Sequence, residues 1–266
     1  MNLSRDAVIG LIVLAIVALA SIWYVVSRPP TEVTENPTAS TTTAGGPGHI
    51  EEHAQYYDVD AKYPSSTALS GLPNSADVNA VALMKQWELD TVASFKSDSG
   101  LNNLTTDDIK TQGLGPDRKY ALTITYKTYT SAHTTSYVYA VFEDTLGAHP
   151  NTTYKTFSFD TTSGQNLSLA MLFTPGTDYL GTLSKIAKAE LPSIIAAREN
   201  VKTSEIDMDM LNAGITPTAD NFSNFYLDGT DLVILFSPYQ IGPYVLGSTE
   251  FHISLSKIAG FKANYK

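Results

Sequence analysis

The stretch that decides the fold runs from Asn221 to Leu255 and reads NFSNFYLDGTDLVILFSPYQIGPYVLGSTEFHISL. Its Asp228-Gly229 pair tolerates positive φ and therefore predicts a hairpin turn. The five apolar residues 232–236 make a run too short for a typical helix, so they predict a strand buried at the centre of a sheet. The final residues alternate between apolar and polar, which predicts another strand with one face on the core.

The loop between these two strands is the leading candidate for a binding site. Two prolines and two glycines between residues 238 and 247 make it rigid, and Tyr239 and Tyr244 lie on it. Prolines reduce the entropy that the loop loses on ordering, and tyrosines offer amphipathic contact area. The two tyrosines either bind a partner or a sugar, or they pack the loop back onto the sheet.

The remaining chain predicts an α+β fold. Alternating segments predict strands, and helical periodicity with capping residues predicts two helices. The strands fall at residues 56–63, 120–130, 135–144 and 152–160, and the helices at 74–97 and 178–199. Strands and helices do not alternate strictly, so we expect an antiparallel or mixed sheet with helices packed on one side, preceded by a single transmembrane helix.

The first predicted helix has one apolar face. Its members are Val78, Val81, Ala82, Leu89 and Val92. Trp87 points away from that face. It is therefore either a contact to a neighbouring element or an exposed aromatic that binds a ligand.

The amino-terminal residues predict a membrane attachment. Ala7 to Val26 carries no charge and is long enough to cross the hydrocarbon core. We therefore expect residues 1–28 to be a retained signal anchor, although Ala20 ends a possible cleavage site. Residues 29–49, rich in proline, threonine and glycine, predict a disordered linker. Residues 50–266 then form a domain outside the cytoplasm.

Composition narrows the class of partner. The chain has 266 residues, no cysteine and a formal net charge of −10. The absence of cysteine excludes disulfides, zinc knuckles and thiol nucleophiles. The acidic balance argues against nucleic acid and favours basic proteins.

One catalytic pattern occurs, in an unfavourable context. His49-Ile50-Glu51-Glu52-His53 has the spacing of a zinc-protease helix, but it follows a linker and lacks an apolar helix around it. We interpret it as a solvated entry to the domain. We expect no catalytic residues, no metal and no cofactor.

Several short motifs together resemble a known family. The carboxyl-terminal ones are Phe236, Pro238-Tyr239, Gly242-Pro243-Tyr244, Gly247 and Phe251-His252-Ile253. The upstream ones are His149-Pro150-Asn151, Phe159-Asp160, Gly164 and Leu172-Phe173. In order and rough spacing they are similar to the extracytoplasmic carboxyl-terminal domain shared by lysozyme-sensing anti-sigma factors and some peptidoglycan deacetylases, a domain of unknown function. The resemblance implies the fold and the compartment, and in the sensing relatives a similar domain binds lysozyme.

These observations predict a membrane-anchored binding domain of the bacterial envelope with no catalysis of its own. It would contact a cell-wall component or a basic wall-active protein such as lysozyme. The alternatives are an envelope enzyme acting on wall glycan through acidic residues, and a structural subunit of a surface assembly. An enzyme requires a cleft with converging carboxylates of perturbed pKa, whereas a binding domain requires only an exposed aromatic or acidic patch.

Overall fold

The strands form two sheets, in a computed structural model that describes residues 48–65 and 74–266. The described strands are β1 His49–His53, β2 Tyr57–Lys62, β3 Tyr120–Thr130, β4 Thr134–Asp144, β5 Asn151–Asp160, β6 Phe225–Asp228, β7 Asp231–Phe236 and β8 Thr249–Ser254. The described α-helices are α1 Asn74–Asp98, α2 Thr106–Gln112, α3 Tyr179–Glu199 and α4 Met208–Gly214. Short 3₁₀ turns occur between them.

The larger sheet is mixed and has the order β1-β2-β3-β4-β5. Among the described strands of this sheet, β2 and β3 are the only neighbours that pair in parallel, and α1 and α2, which lie between them in sequence, supply the long crossover that such a pair needs. The smaller sheet, β6-β7-β8, is antiparallel throughout. The predicted α+β class with a mixed sheet is confirmed.

The two sheets stack, and this corrects the expected arrangement of helices. Side chains of Leu232, Ile234 and Phe236 pack with those of α3. Side chains of Val233 and Leu235 point the other way and pack against the larger sheet. The opposite face of the larger sheet is covered by α1. The helices therefore lie on two outer faces rather than on one side, because the apolar run of β7 is buried on both faces.

The buried face of α1 includes Val92, as predicted, and otherwise differs from the predicted one. Met84 and Phe95 are buried, whereas Val78 is 59% exposed and Leu89 is 41% exposed. The pattern was misleading because the true face passes through a charged residue, Glu88, which has no exposed surface. The helix itself is confirmed.

The amino-terminal part of the domain also requires a correction. His49–His53, expected to be a solvated entry, is β1 and pairs antiparallel with β2. The predicted membrane span and nearly all of the predicted linker lie outside the described residues. No helix within residues 48–65 and 74–266 is both long and apolar enough to cross a bilayer.

Polar side chains fix β6 against the larger sheet. The Thr156 hydroxyl accepts a hydrogen bond from the Phe225 backbone N–H at 3.0 Å. The Ser158 hydroxyl reaches the Phe225 carbonyl at 3.5 Å and lies 2.9 Å from the Ser136 hydroxyl. These buried groups are paired, so the junction carries no desolvation penalty of the kind that an unpaired polar atom would impose.

Replacing Leu235 by alanine tests the stacking of the sheets. Its side chain is 2% exposed and lies between them. Leu235→Ala should therefore lower the free energy of unfolding by about 2–5 kcal/mol, measured by urea denaturation. Val78→Ala, at an exposed position, serves as the control and should change it little. A loss below about 0.5 kcal/mol for Leu235→Ala would contradict the position of β7.

Glu88 is a carboxylate buried in the core beneath α1. Neither of its oxygens has a hydrogen-bond partner, and the hydroxyls of Tyr137 and Tyr139 are also buried and unpaired. Burial raises the pKa of Glu88 to about 8, although the nearby Tyr139 hydroxyl lowers it in part. The folded protein therefore keeps the carboxyl protonated at pH values where the unfolded chain has released the proton.

The buried carboxyl makes stability depend on pH in a defined direction. Between pH 4.5 and about 8 the folded state binds more protons than the unfolded state, so stability falls as pH rises. One such proton contributes up to about 1.4 kcal/mol per pH unit. Glu88→Gln should make this slope shallower by the contribution of Glu88, measured by urea denaturation at several pH values, whereas Asp90→Asn, on the exposed side of α1, should leave the slope unchanged. An unchanged slope in Glu88→Gln would show that Glu88 is ionised in the folded protein.

Candidate functional site

Two loops that are distant in sequence meet around three aromatic rings. One follows β4 and carries His149, and the other follows β7 and carries Tyr239 and Tyr244. The His149 ring stacks on Tyr244 with centroids 4.0 Å apart and planes at 22°. The Tyr239 and Tyr244 centroids are 5.4 Å apart. We call His149, Tyr239 and Tyr244 the aromatic platform.

Hydrogen bonds fix the rings of the platform. The Tyr244 hydroxyl donates to the Pro150 carbonyl at 2.9 Å. The Nδ1 atom of His149 lies 2.9 Å from the same carbonyl, and Nε2 lies 3.1 Å from the Tyr239 hydroxyl. Because a carbonyl can only accept, the proton of the neutral imidazole lies on Nδ1, and Nε2 accepts from Tyr239.

The Gln240 side chain holds the first part of the loop after β7. Gln240 accepts from the Ser237 backbone N–H at 3.2 Å and donates to the Asn221 carbonyl at 2.9 Å and to the Gly214 carbonyl at 3.3 Å. At Gly214 a Cβ atom would lie 2.0 Å from the Gln240 carbonyl oxygen, so only glycine permits this approach. These contacts fix the backbone next to Tyr239.

The platform loops contain strained backbone. In the described part of the chain, the non-glycine residues with positive φ are Leu146, Asn200 and Tyr239. Asn200 caps α3, where this conformation is ordinary. Leu146, with φ of 60°, and Tyr239, with φ of 67°, lie one in each platform loop. Such conformations cost of order 1–3 kcal/mol and tend to occur at functional sites.

The platform is open to solvent. Tyr239 is 50% exposed, Tyr244 37% and the adjacent Val245 83%. The tyrosines contact each other and His149, and Tyr244 also joins its loop to the segment before β5 through the Pro150 carbonyl. A depression of about 400 Å³ adjoins them and is lined in part by Tyr154. An aromatic surface of this kind, with the rings fixed in advance, suits a binding contact.

The third predicted binding residue, Trp87, lies elsewhere. Its ring packs edge-on against Tyr139, with centroids 4.9 Å apart, and against Phe157 at 5.7 Å. The predicted contact to a neighbouring element is therefore present. Trp87 also lines a cleft of about 580 Å³ beside α1, so the three predicted residues belong to two different places.

The cleft is acidic. Its lining includes Asp90 and Asp98 from α1 and Glu143 from the end of β4. Burial raises the pKa of Glu143, and the negative charge of Asp98 raises it further. Within the described residues no lysine or arginine forms an ion pair with these three carboxylates. Glu143 gave no signal in the sequence, because it is one acidic residue in an alternating strand.

The two histidines of the zinc-protease pattern lie on a strand and not on a helix. His53 lies between Glu51, at 2.9 Å, and Asp58, at 3.0 Å, and hydrogen bonds to Asp58 and then Glu51 raise the pKa of His53. His49 contacts Asp60 at 2.8 Å. Among the residues that the structure describes, no group of three or more metal-binding side chains has a geometry that could hold an ion.

Comparison with known proteins agrees with the sequence motifs. Residues 170–256 match the family described as protein of unknown function (DUF3298). The crystal structure of a DUF3298 family member from Bacteroides fragilis superposes with a TM-score of 0.55 and 22% identity, covering 81% of this chain and 92% of that one. At that identity the likeness shows the fold.

Three curated proteins share about half of the chain. The Immunogenic protein MPT64 of Mycobacterium tuberculosis is 29% identical over 52% of this chain and 58% of its own length. Esterase Rv3036c of the same species is 27% identical over 53% of this chain and 60% of its own length. The Peptidoglycan-N-acetylmuramic acid deacetylase PdaC of Bacillus subtilis is 30% identical over 52% of this chain and 28% of its own length. The chain thus spans less than two thirds of the length of each.

The DUF3298 match includes β6, β7, β8 and the loop that carries Tyr239 and Tyr244. It also includes all of the carboxyl-terminal motifs from which the resemblance was inferred. The match confirms the resemblance to a family of unknown function over residues 170–256, which are similar to DUF3298.

Proposed function

We propose that this chain is a binding domain of the bacterial envelope, without catalysis of its own, that contacts a cell-wall component or a basic wall-active protein through the aromatic platform. The observation that carries the proposal is the exposed stack of His149, Tyr239 and Tyr244. The three rings contact one another, and both tyrosines are exposed to solvent.

The platform is organised before any ligand arrives. Hydrogen bonds fix all three rings, and Gln240 fixes the backbone beside Tyr239. A ligand would therefore find the contact surface already ordered, and little side-chain entropy would be lost on binding. Tyrosine in particular is enriched among the residues that dominate binding energies.

The charge of the chain favours a basic partner. A formal net charge of −10 attracts cationic proteins over a distance set by the ionic strength, about 8 Å at physiological salt. Such steering raises the association rate, whereas the aromatic contacts slow dissociation. The two contributions can therefore be separated by salt and by mutation.

The proposed location follows from the sequence. The uncharged stretch Ala7 to Val26 would hold the domain at the membrane on the outer side. Similarity to a protein named as a peptidoglycan deacetylase supports an environment at the cell wall, although only 28% of that protein is covered.

Tyr244→Ala tests the platform. We expect the dissociation rate of a bound ligand to rise by the equivalent of about 1–3 kcal/mol, because the stacked ring is lost. Surface plasmon resonance would compare lysozyme and soluble peptidoglycan fragments as ligands across a salt series. Leu89→Ala, an exposed apolar position on α1, is the control and should bind as the unmodified protein does. If neither ligand binds at low salt, or if Tyr244→Ala binds both unchanged, the proposal is wrong.

A second candidate function rests on the acidic cleft. Glu143, with its raised pKa, and Asp98, whose charge contributes to that shift, resemble the unequal carboxylates of a glycan-cleaving enzyme. Trp87 would supply an apolar wall for a sugar ring. In this reading Glu143 is the general acid, and wall glycan is the substrate.

The carboxylate pair can be tested by titration and by activity. Asp98→Asn should lower the pKa of Glu143, measured by carboxyl-carbon NMR, because a negative neighbour is removed. Asp90→Asn, in the same cleft, is the control and should have a smaller effect. An enzyme should release soluble fragments from peptidoglycan between pH 4 and 8, and Glu143→Gln should abolish the release. No release by the unmodified protein would exclude this second function.

A further inference from the structure

A second depression continues from the platform. Val245, which lines the depression beside Tyr244, also lines a groove of about 210 Å³ on the side of α3. The floor of the groove is formed by the buried side chains of Ile195, Ile241 and Leu246. Its rims include Val245, 83% exposed, and Val201, 40% exposed. The groove therefore presents apolar surface to solvent directly beside the platform.

Carboxylates stand around this apolar surface. Glu199, Glu205 and Asp207 line the same groove. Glu199 pairs with Arg198 at 3.0 Å. Glu205 and Asp207 each accept a backbone N–H, at 3.4 Å and 3.0 Å, and in the described part of the chain neither pairs with a lysine or arginine. Two negative charges at the rim are therefore not neutralised.

The size of the groove indicates what can fill it. Sites for separate small molecules usually measure about 300–1,000 Å³, so a groove of about 210 Å³ suits one side chain of a larger partner. An apolar floor favours an apolar side chain. The free carboxylates favour a cation next to it. A polypeptide offers both groups on adjacent residues, whereas a wall glycan has hydroxyl-bearing rings and no branched apolar side chain.

We propose that this groove binds an apolar side chain flanked by lysine or arginine, and that the partner of the platform is accordingly a basic polypeptide rather than a glycan. The inference rests on the proposed binding function, because Val245 makes the two surfaces continuous. The platform holds the partner by aromatic contact, and the groove selects it by charge and shape.

Methyl NMR of the full chain in detergent micelles tests the groove without knowledge of the natural partner. The probe is acetyl-Lys-Leu-Lys-amide, with acetyl-Glu-Leu-Glu-amide and tetrameric N-acetylglucosamine as comparisons. The basic peptide should shift the methyl signals of Val201, Ile206 and Val245 in a saturable manner. The acidic peptide and the sugar should leave Val201 and Ile206 unchanged.

A double variant that removes the two unpaired charges of the groove tests their role in binding. Glu205→Gln with Asp207→Asn removes two charges and keeps both side-chain acceptors for the backbone N–H groups. Its affinity for the basic peptide should fall by about three- to tenfold, as expected for two exposed ion pairs. Val201→Asp should abolish the saturable shifts, whereas Val78→Asp, on α1, should preserve them.

The outcomes separate this inference from the proposed function. No saturable shift at millimolar peptide, equal shifts with the acidic peptide, or equal shifts with the sugar would each overturn the groove assignment, whatever Tyr244→Ala does to lysozyme or peptidoglycan binding. Saturable, charge-dependent shifts would support it. If those shifts occur while Tyr244→Ala leaves ligand binding unchanged, the groove stands and the platform proposal fails.

Discussion

Burial of β7 on both faces is the constraint on which the rest of the structure depends. Each fully buried apolar side chain contributes roughly 1.5–3 kcal/mol, and residues 232–236 provide five in succession. A strand that is apolar on both faces does not define its own register, because a shift by one residue leaves apolar groups on each side. The register is set instead by the Asp228 to Asp231 hairpin and by the backbone of Phe225, which donates a hydrogen bond to Thr156 and accepts one from Ser158.

A fixed β7 places the loop that follows it. The chain leaves the strand at Ser237, and Gln240 immediately ties it to the carbonyls of Asn221 and Gly214. These bonds hold Tyr239 in a conformation that a free loop would avoid. His149 then reaches the tyrosines from the end of β4, so the platform requires that both sheets be assembled. Its geometry is a consequence of the stacked sheets and not of the loop sequence alone.

The strands and helices could be predicted from local sequence patterns, whereas contacts between residues far apart in the sequence could not. The run from Leu232 to Phe236 and the alternation of β3, β4 and β5 have characteristic periods, so those strands were correctly predicted. The stacking of two sheets was missed because the apolar run of β7 does not show whether a helix or a second sheet covers each of its faces. Tyr239 and Tyr244 were identified as a pair, but His149 lies 90 residues before Tyr239 and was noted only as part of a family motif. Glu88 was missed because a single carboxylate on an apolar face carries no pattern.

Buried polar atoms without hydrogen bonds and strained backbone are unevenly distributed over the structure. In the part of the chain that the structure describes, the buried side-chain atoms without hydrogen bonds belong to Asp77, Glu88, Tyr137 and Tyr139, all between α1 and the larger sheet. The core around β7 has none. Strained backbone at Leu146 and Tyr239 lies in the platform loops. Features that lower stability in this way tend to occur at functional sites, because selection for stability alone would remove them. The smaller sheet and α3 therefore act as the scaffold, whereas the platform loops and the core beneath α1 contain the features that lower stability.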